Sequence, residues 1–502
     1  MLQVVQRTLS NGLRVLVLKL PHVHAVSHAL FVRGGSRFEN EETSGISHMV
    51  EHLLFRGTVS HPDSLSFNVA IEAVGGEING LTQRDAVTIH VTVPPASALE
   101  GLALLGEVIT EPLLTGLAIE RHVVMEEILD TLDQDGNELD ADTLARKTLW
   151  PNHPIALPIA GTPQTVESLT EEACRAHYER LFVARNAVLC VAGPVDADAI
   201  VATAEKSFGR MRRGERLDAS STPVPAVWAP IQVQPTDDSQ VSLLFSFPAA
   251  HENDPDFATL LLLKRLLDDG FGARLRQAIC EQTGLAYSLG ACIDAYADAA
   301  ALDIELSCAP SKAVRATRKV LETLRALAHE PVGEAELTRA KTRHRAEVEF
   351  ALDDPGEMCG WYGAMVLVDS DIDYETRLDQ VLQVTAADIQ RLAAGMFSNS
   401  ACLLTILGPV EEADVREMEV CLGRAPGSSV WAESSGEDEV LEEDDEDEAS
   451  AEATASDEAD ESDEGDEDDG DDGDAADEAV DDSSLRIEAE DTWPPLALVA
   501  SS

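Results

Sequence analysis

Val26-Ser27-His28-Ala29-Leu30-Phe31 and, far along the chain, Val241-Ser242-Leu243-Leu244-Phe245 read as one strand written twice. A second pair keeps the interval: Asn186-Ala187-Val188-Leu189 leading to Gly193-Pro194-Val195 returns as Ser400-Ala401-Cys402-Leu403 leading to Gly408-Pro409-Val410. Both echoes fall at about 215 residues, far beyond a solenoid period of roughly 20–50. Two coincidences at one interval point to a duplicated domain. The Pro-rich stretch 222–230 is the natural linker, which divides the chain into a first domain over 1–221 and a homologous second over 231–426.

Outward from the first strand, residues 13–20 are apolar and β-branched, and 26–32 follow after a Pro-containing turn, so both read as strands. Glycines 34, 35 and 45 punctuate the passage into a helix over 45–55, where apolar residues and histidines share helical spacing. VTIHVTV at 87–93 alternates as a half-buried strand and stops at Pro94-Pro95. Residues 99–110 and 120–132 read as helices. Strands among packed helices give an α+β fold, two homologous domains of antiparallel sheet packed with helices.

The chain has 502 residues, too many for one ordinary domain, and 44% apolar content is enough for a sizeable core. Its formal net charge of −57 is unevenly placed: residues 433–482 hold 29 acidic groups and no Lys or Arg, leaving roughly −28 elsewhere. That balance argues against nucleic acid and anionic membrane as partners. From 427 to 502 the composition cannot bury enough apolar surface to offset ordering entropy, so a disordered acidic tail is expected, solubilising by self-repulsion. The Trp493-Pro494-Pro495 patch near its end reads as a plain terminus. Eight scattered cysteines without a CxxC pair suit buried thiols in a reducing compartment. No secretory or transit pattern opens the sequence, and no apolar run would span a bilayer, so a cytoplasmic protein is expected.

His48-Met49-Val50-Glu51-His52 carries the chemistry. Residues four apart lie on one helix face, so His48 and His52 can offer imidazole nitrogens to one ion. Zinc takes such nitrogens in tetrahedral geometry and keeps a position for water when catalytic. Glu51, beside His52, can take that water's proton and pass it to a leaving amine. This is the inverted HxxEH arrangement. For the third ligand, residues 120–130 (ERHVVMEEILD) offer Glu120, His122, Glu126 and Glu127. Glu120 and Glu127 are two turns apart on one face. Glu127 is assigned as ligand and Glu120 as the supporting catalytic carboxylate that orients one.

The runs Asn11-Gly12-Leu13-Arg14-Val15, Gly34-Gly35-Ser36-Arg37-Phe38-Glu39 and Gly45-Ile46-Ser47-His48-Met49-Val50-Glu51-His52-Leu53-Leu54-Phe55-Arg56-Gly57-Thr58 resemble the pitrilysin/insulinase family of zinc peptidases. The likeness is greatest to its short-chain branch, that of the mitochondrial processing peptidase and its bacterial relatives, and spans about residues 3–423. It implies half of a clamshell per chain, with one zinc in the first domain and two chains closing around an unfolded peptide. At the repeat interval, His48, Glu51 and His52 correspond to Leu263, Leu266 and Leu267, so no second metal site is expected. Gly75-Gly76-Glu77-Ile78-Asn79-Gly80-Leu81-Thr82 matches the family's Gly-Gly-x-x-Asn segment, and Asn79, Gly80, Leu81 and Thr82 would hold an extended substrate by strand addition.

Gly284-Leu285-Ala286-Tyr287-Ser288 resembles the segment whose Tyr, with an Arg seven residues earlier, grips substrate in active members. Here that earlier position is Cys280, and Arg274 and Arg276 fall out of register. Tyr287 either hydrogen-bonds a substrate carbonyl or the oxyanion, or packs. Cys280 has no His/Asn partner that would make it a nucleophile. The gap suggests a paralogous partner subunit supplying the Arg/Tyr pair in a heterodimer, with a homodimer as the alternative. The expected function is a zinc metallo-endopeptidase acting on short or unfolded peptides. The competing reading is a non-catalytic structural or scaffolding subunit of a processing-peptidase-like assembly, against which the complete donor set speaks.

Overall fold

The repeat is written into two six-stranded sheets. A computed structural model describes residues 2–225, 231–370, 372–397 and 402–431. The first sheet contains β1 (Gln3–Thr8), β2 (Arg14–Lys19), β3 (Val26–Arg33), β4 (Glu77–Thr82), β5 (Ala86–Val93) and β6 (Ala187–Gly193), in the order β1-β2-β6-β3-β5-β4. The second contains β7 (Gln232–Gln234), β8 (Val241–Pro248), β9 (Ser288–Ala295), β10 (Ala300–Cys308), β11 (Leu403–Leu407) and β12 (Val430–Trp431), in the order β12-β7-β11-β8-β10-β9. Strands β2, β6, β3, β5 and β4 thus have β7, β11, β8, β10 and β9 as positional counterparts, and Val26 and Val241 open the matching strands. The echo at Ser400-Ala401 lies outside the described residues, as do the linker residues 226–230 and everything beyond 431.

The sheets are mixed rather than wholly antiparallel. β2 runs parallel to β6, and β7 runs parallel to both β11 and β12. These partners are far apart in sequence, and long excursions through helices let the chain re-enter in the same direction. Residues 427–431, expected as the start of the tail, are held against the second lobe. Glu419 accepts backbone N–H bonds from Gly427 and Ser429, and β12 then pairs along β7.

The first half holds α1 (Ile46–Leu54), α2 (Ser64–Ala73), α3 (Ala98–Thr110), α4 (Leu117–Leu129), α5 (Ala141–Leu149), α6 (Pro163–Ser168), α7 (Glu171–Leu181) and α8 (Ala197–Phe208). The second holds α9 (Phe257–Leu267), α10 (Ala313–His329), α11 (Glu334–Ala351), α12 (Pro355–Leu367), α13 (Tyr374–Gln383), α14 (Ala386–Met396) and α15 (Glu412–Cys421). The helices expected over 45–55, 99–110 and 120–132 are α1, α3 and α4. Among the described residues no helix is long and apolar enough to cross a membrane.

Strand alternation sends Val15, Val17, Leu30, Val32, Ile89 and Val91 to one face of the first sheet, where α1 (Met49, Val50, Leu53) and α3 (Leu102, Leu105, Ile109) cover them. The opposite face, with Leu16, Leu18, Phe31, Val188 and Cys190, is covered by α12 from the second half, through Met358, Cys359, Trp361 and Tyr362. The approach is close enough to demand glycine: a Cβ on Gly363 would lie 2.1 Å from the Phe31 ring. The exchange is mutual. Ala145 and Leu149 of α5, with Trp150, pack on Leu244, Ala301 and Leu403 of the second sheet. Arg146 enters that junction nearly sealed from solvent and meets Asp303 at 2.5 Å, Asp142 at 2.8 Å and Asp294 at 3.1 Å.

Candidate metal centre

α1 presents His48 and His52 one turn apart, and their Nε2 atoms stand 3.2 Å from each other. α4 crosses nearby and brings Glu127, whose carboxylate oxygens lie 3.6 Å from His48 Nε2 and 3.7 Å from His52 Nε2. Among the described residues this is the one group of three ligand-type side chains that converges. Tetrahedral ligation at about 2.0–2.1 Å needs donor atoms roughly 3.3 Å apart, so the three fit one zinc ion with small adjustments.

Glu120 sits where the sequence suggested, one step behind. Its Oε2 is 2.9 Å from His52 Nδ1, and its Oε1 is 3.2 Å from the Arg56 guanidinium. A proton on Nδ1 donated to Glu120 leaves the Nε2 lone pair of His52 facing the other donors. Burial, with His52 adding to it, pushes His48 down to about 3. His48 is therefore neutral at ordinary pH, the form that can ligate.

Glu51 is 8% exposed, and Thr82 Oγ1 donates to its Oε2 at 2.8 Å. Burial raises its pKa against the pull of that bond, which moves a carboxylate toward the range useful for taking and returning a proton. Gly80 makes room for it, because a Cβ there would lie 2.3 Å from Glu51 Oε1. Gly80 and Thr82 therefore face α1, and by alternation Asn79 and Leu81 face the other way. Asn79 spends its amide on Glu77 at 3.3 Å. Of the four residues expected to hold substrate, Thr82 is thus engaged with Glu51 and Asn79 points to the far face. Among the described residues β4 pairs with β5 alone, which leaves its outer backbone edge open.

In the second lobe, Leu263, Leu266 and Leu267 of α9 are buried in the core where the first lobe has its histidines and Glu51. Tyr287 is 98% exposed, so the packed alternative does not hold. Cys280 lies half-buried in the short π-helix Arg276–Glu281, its thiol pushed up by burial. The neighbouring arginines are occupied: Arg274 pairs with Glu336 through two bonds of 2.8 Å, and Arg276 donates to the Leu289 carbonyl.

One residue at the site was not singled out from the sequence. Glu39 accepts the backbone N–H groups of Gly45 and Ser47, each at 2.8 Å, at the start of α1. Burial pushes its carboxyl up to about 7, against the pull of those bonds. The signal available was negative: a helix opening on Gly45 has no side chain of its own to cap it.

These features define a class, a two-lobed α+β protein with one metal-type donor set beside a buried glutamate. Residues 14–163 match the family model described as "Insulinase (Peptidase family M16)", and residues 168–343 match "Peptidase M16 inactive domain". The chain belongs to the M16 family of peptidases. A protein named an uncharacterized zinc protease from Mycobacterium leprae is 30% identical over 425 residues, covering 81% of this chain and 92% of that protein. Another so named, from Rickettsia felis, is 28% identical over 411 residues, covering 80% and 96%. Zinc and peptidase chemistry are thereby supported at the level of the family. Among solved structures, a protease from Helicobacter pylori superposes with a TM-score of 0.74 at 20% identity, covering 82% of this chain and 100% of that one. A chain of complex III2 from Candida albicans gives 0.70 at 15% identity, covering 83% and 100%. At such identities the likeness concerns the fold alone.

Proposed function

We propose that this protein is a zinc metallo-endopeptidase that cleaves short or unfolded peptides bound as an extended strand. The observation that carries the reading is the convergence of His48, His52 and Glu127 next to Glu51 and the open edge of β4. A peptide laid along that edge bonds through its main chain, which tolerates varied sequences and favours unfolded segments. His48, His52 and Glu127 would hold a zinc ion, which would supply Lewis acidity for activating water and the scissile carbonyl. Glu51 accepts the proton of the attacking water and returns it to the leaving amine. Thr82 keeps the Glu51 carboxylate in place, and Glu120 keeps His52 in its ligating tautomer.

The second lobe bears on substrate grip. Tyr287 stands free in solvent, while Cys280 brings no positive charge. A homologous partner subunit supplying the Arg/Tyr pair completes the site, and one zinc per first lobe suffices. All eight cysteines are free thiols, in keeping with action in the cytoplasm. The scaffolding alternative draws on Cys280, but a scaffold has no physical need of three converging ligands and a buried base.

The test is zinc content and cleavage of a mixed peptide library, with and without a co-encoded homologue, for the unaltered chain and for Glu51→Gln. The variant should keep its zinc and lose about 10²–10⁴-fold in turnover. Absence of cleavage even with the cognate partner would refute the peptidase reading, as would a Glu51→Gln protein that cleaves normally.

A further inference from the structure

We infer that Glu39 is a positioning residue of the metal centre: its carboxylate, reaching back from six residues upstream of Gly45, fixes the first turn of α1 and thereby His48. The inference rests on reading His48, His52 and Glu127 as zinc ligands.

A helix leaves its first N–H groups without partners inside the helix, and a side chain at the N-cap normally serves them. α1 opens instead on Gly45, at φ 90°, with no side-chain cap. The two Glu39 oxygens take over, one on Gly45 N–H and one on Ser47 N–H. A carboxylate there also complements the positive end of the helix dipole. Glu39 is 7% exposed, so water competes little for these bonds.

His48 is the third residue of this helix, within the turn that Glu39 secures, whereas His52 is a full turn deeper. Further contacts keep the first turn from drifting. The Ser47 hydroxyl lies 2.9 Å from His177 Nε2. Gly45 is pressed so closely on the chain at 160–161 that a Cβ would lie 2.4 Å from the Ala160 carbonyl oxygen. The segment leading to Glu39 is itself tethered across the molecule. Arg37 bonds Asp298 of the second lobe at 2.6 Å, and the Ser220 carbonyl and Thr222 hydroxyl at 2.8 Å each. The Gly34-Gly35-Ser36-Arg37-Phe38-Glu39 run is thus a strap with one hold on the far lobe and the other on the helix that carries both histidines. Loss of the Glu39 hold frees the first turn to fray, and the ligand first affected is His48.

The experiment compares full-length unaltered protein with Glu39→Ala, Glu39→Gln and His48→Ala. It reads zinc dissociation constants by chelator competition, together with melting temperature, kcat and KM. Phe208→Leu, a core change on α8 that touches neither Glu39 nor the first-turn bonds of α1, serves as a control for general destabilisation. Glu39→Ala should weaken zinc binding about 10–100-fold, as loss of ligand-supporting groups does. It should approach His48→Ala in affinity and leave KM nearly unchanged. Glu39→Gln should recover part of the affinity, since its amide oxygen still accepts one N–H. Phe208→Leu should lower the melting temperature and leave zinc affinity alone. Zinc affinity of Glu39→Ala within threefold of the unaltered protein overturns the inference, as does an equal loss in Phe208→Leu. If the alanine variant does not fold, Glu39→Gln decides: a tenfold weaker site supports the inference and an unchanged one overturns it. Unaltered protein that takes up no zinc would instead defeat the underlying ligand assignment, a separate outcome.

Discussion

Gly80→Ala should disable the enzyme while leaving the fold intact. Gly80 lies in β4 with no left-handed backbone, so alanine is conformationally acceptable and even slightly favoured in a strand. The added methyl group, however, would sit 2.3 Å from Glu51 Oε1, 2.7 Å from its Cδ and 2.8 Å from its Cγ. An ordinary contact begins near 3.4 Å, so the carboxylate must move by about 1 Å. Its room to do so is limited, because it is buried and bonded to Thr82 at 2.8 Å. A misplacement of about 1 Å costs on the order of 10²-fold in rate, or about 2.7 kcal/mol of transition-state stabilisation. The assay is kcat/KM on a quenched fluorescent peptide in the presence of any required partner, alongside zinc content and melting temperature. We expect a fall of about two orders of magnitude, full zinc occupancy and a melting temperature within a few degrees of the parent. Activity within threefold of the parent would show that the acting base is not the carboxylate beside Gly80.

Further outcomes follow from other sites. Glu120→Gln exchanges the carboxylate on His52 Nδ1 for an amide and should weaken zinc binding about 10–100-fold in chelator competition. Arg146→Met leaves Asp303 without its cation at the junction of the lobes, while Asp142 keeps Arg84 at 2.7 Å, and should cost about 3–5 kcal/mol in urea unfolding. Burial holds His28 at about 3, so the unfolded chain binds its proton more tightly than the folded one. The stability this group confers is full above pH 6.5 and is lost as pH falls toward 3, by roughly 4–5 kcal/mol in all. His28→Leu should flatten the pH dependence of unfolding free energy across that window.

Local patterns carried much of this architecture. The four-residue spacing of His48 and His52 places two imidazoles on one face whatever the rest of the chain does. The alternation at 87–93 marks a strand, although both faces of β5 are covered and not one as expected, and the paired echoes foretold matching sheets. Side chains that act across long loops were harder to read. Glu39 serves a helix that starts seven residues later, just beyond Gly45, and no helical period links them. Strand alternation turns the Asn79 side chain from the Glu51 face, so a hold on substrate there would run through the main chain of β4. Apolar residues in α5 and α12 announce burial but not the partner. That α12 would lie on the first sheet depended on the close approach of Gly363 to Phe31, a contact between residues more than 300 positions apart. The pairing of Val430-Trp431 with β7 is non-local in the same way, and the acidic composition nearby gives no sign of it.

The reciprocal placement of α5 and α12 has a consequence for synthesis. When the ribosome has released residues 1–221, the outer face of β3 and β6 still has no cover, because α12 begins only at Pro355. A fragment ending there would present Leu16, Leu18, Phe31 and Val188 to water and tend to associate with its own kind. The nascent first half therefore waits, incomplete, for the later part of the same polypeptide. Attempts to produce either half alone should yield aggregates, whereas co-expressing the halves gives each the cover it lacks.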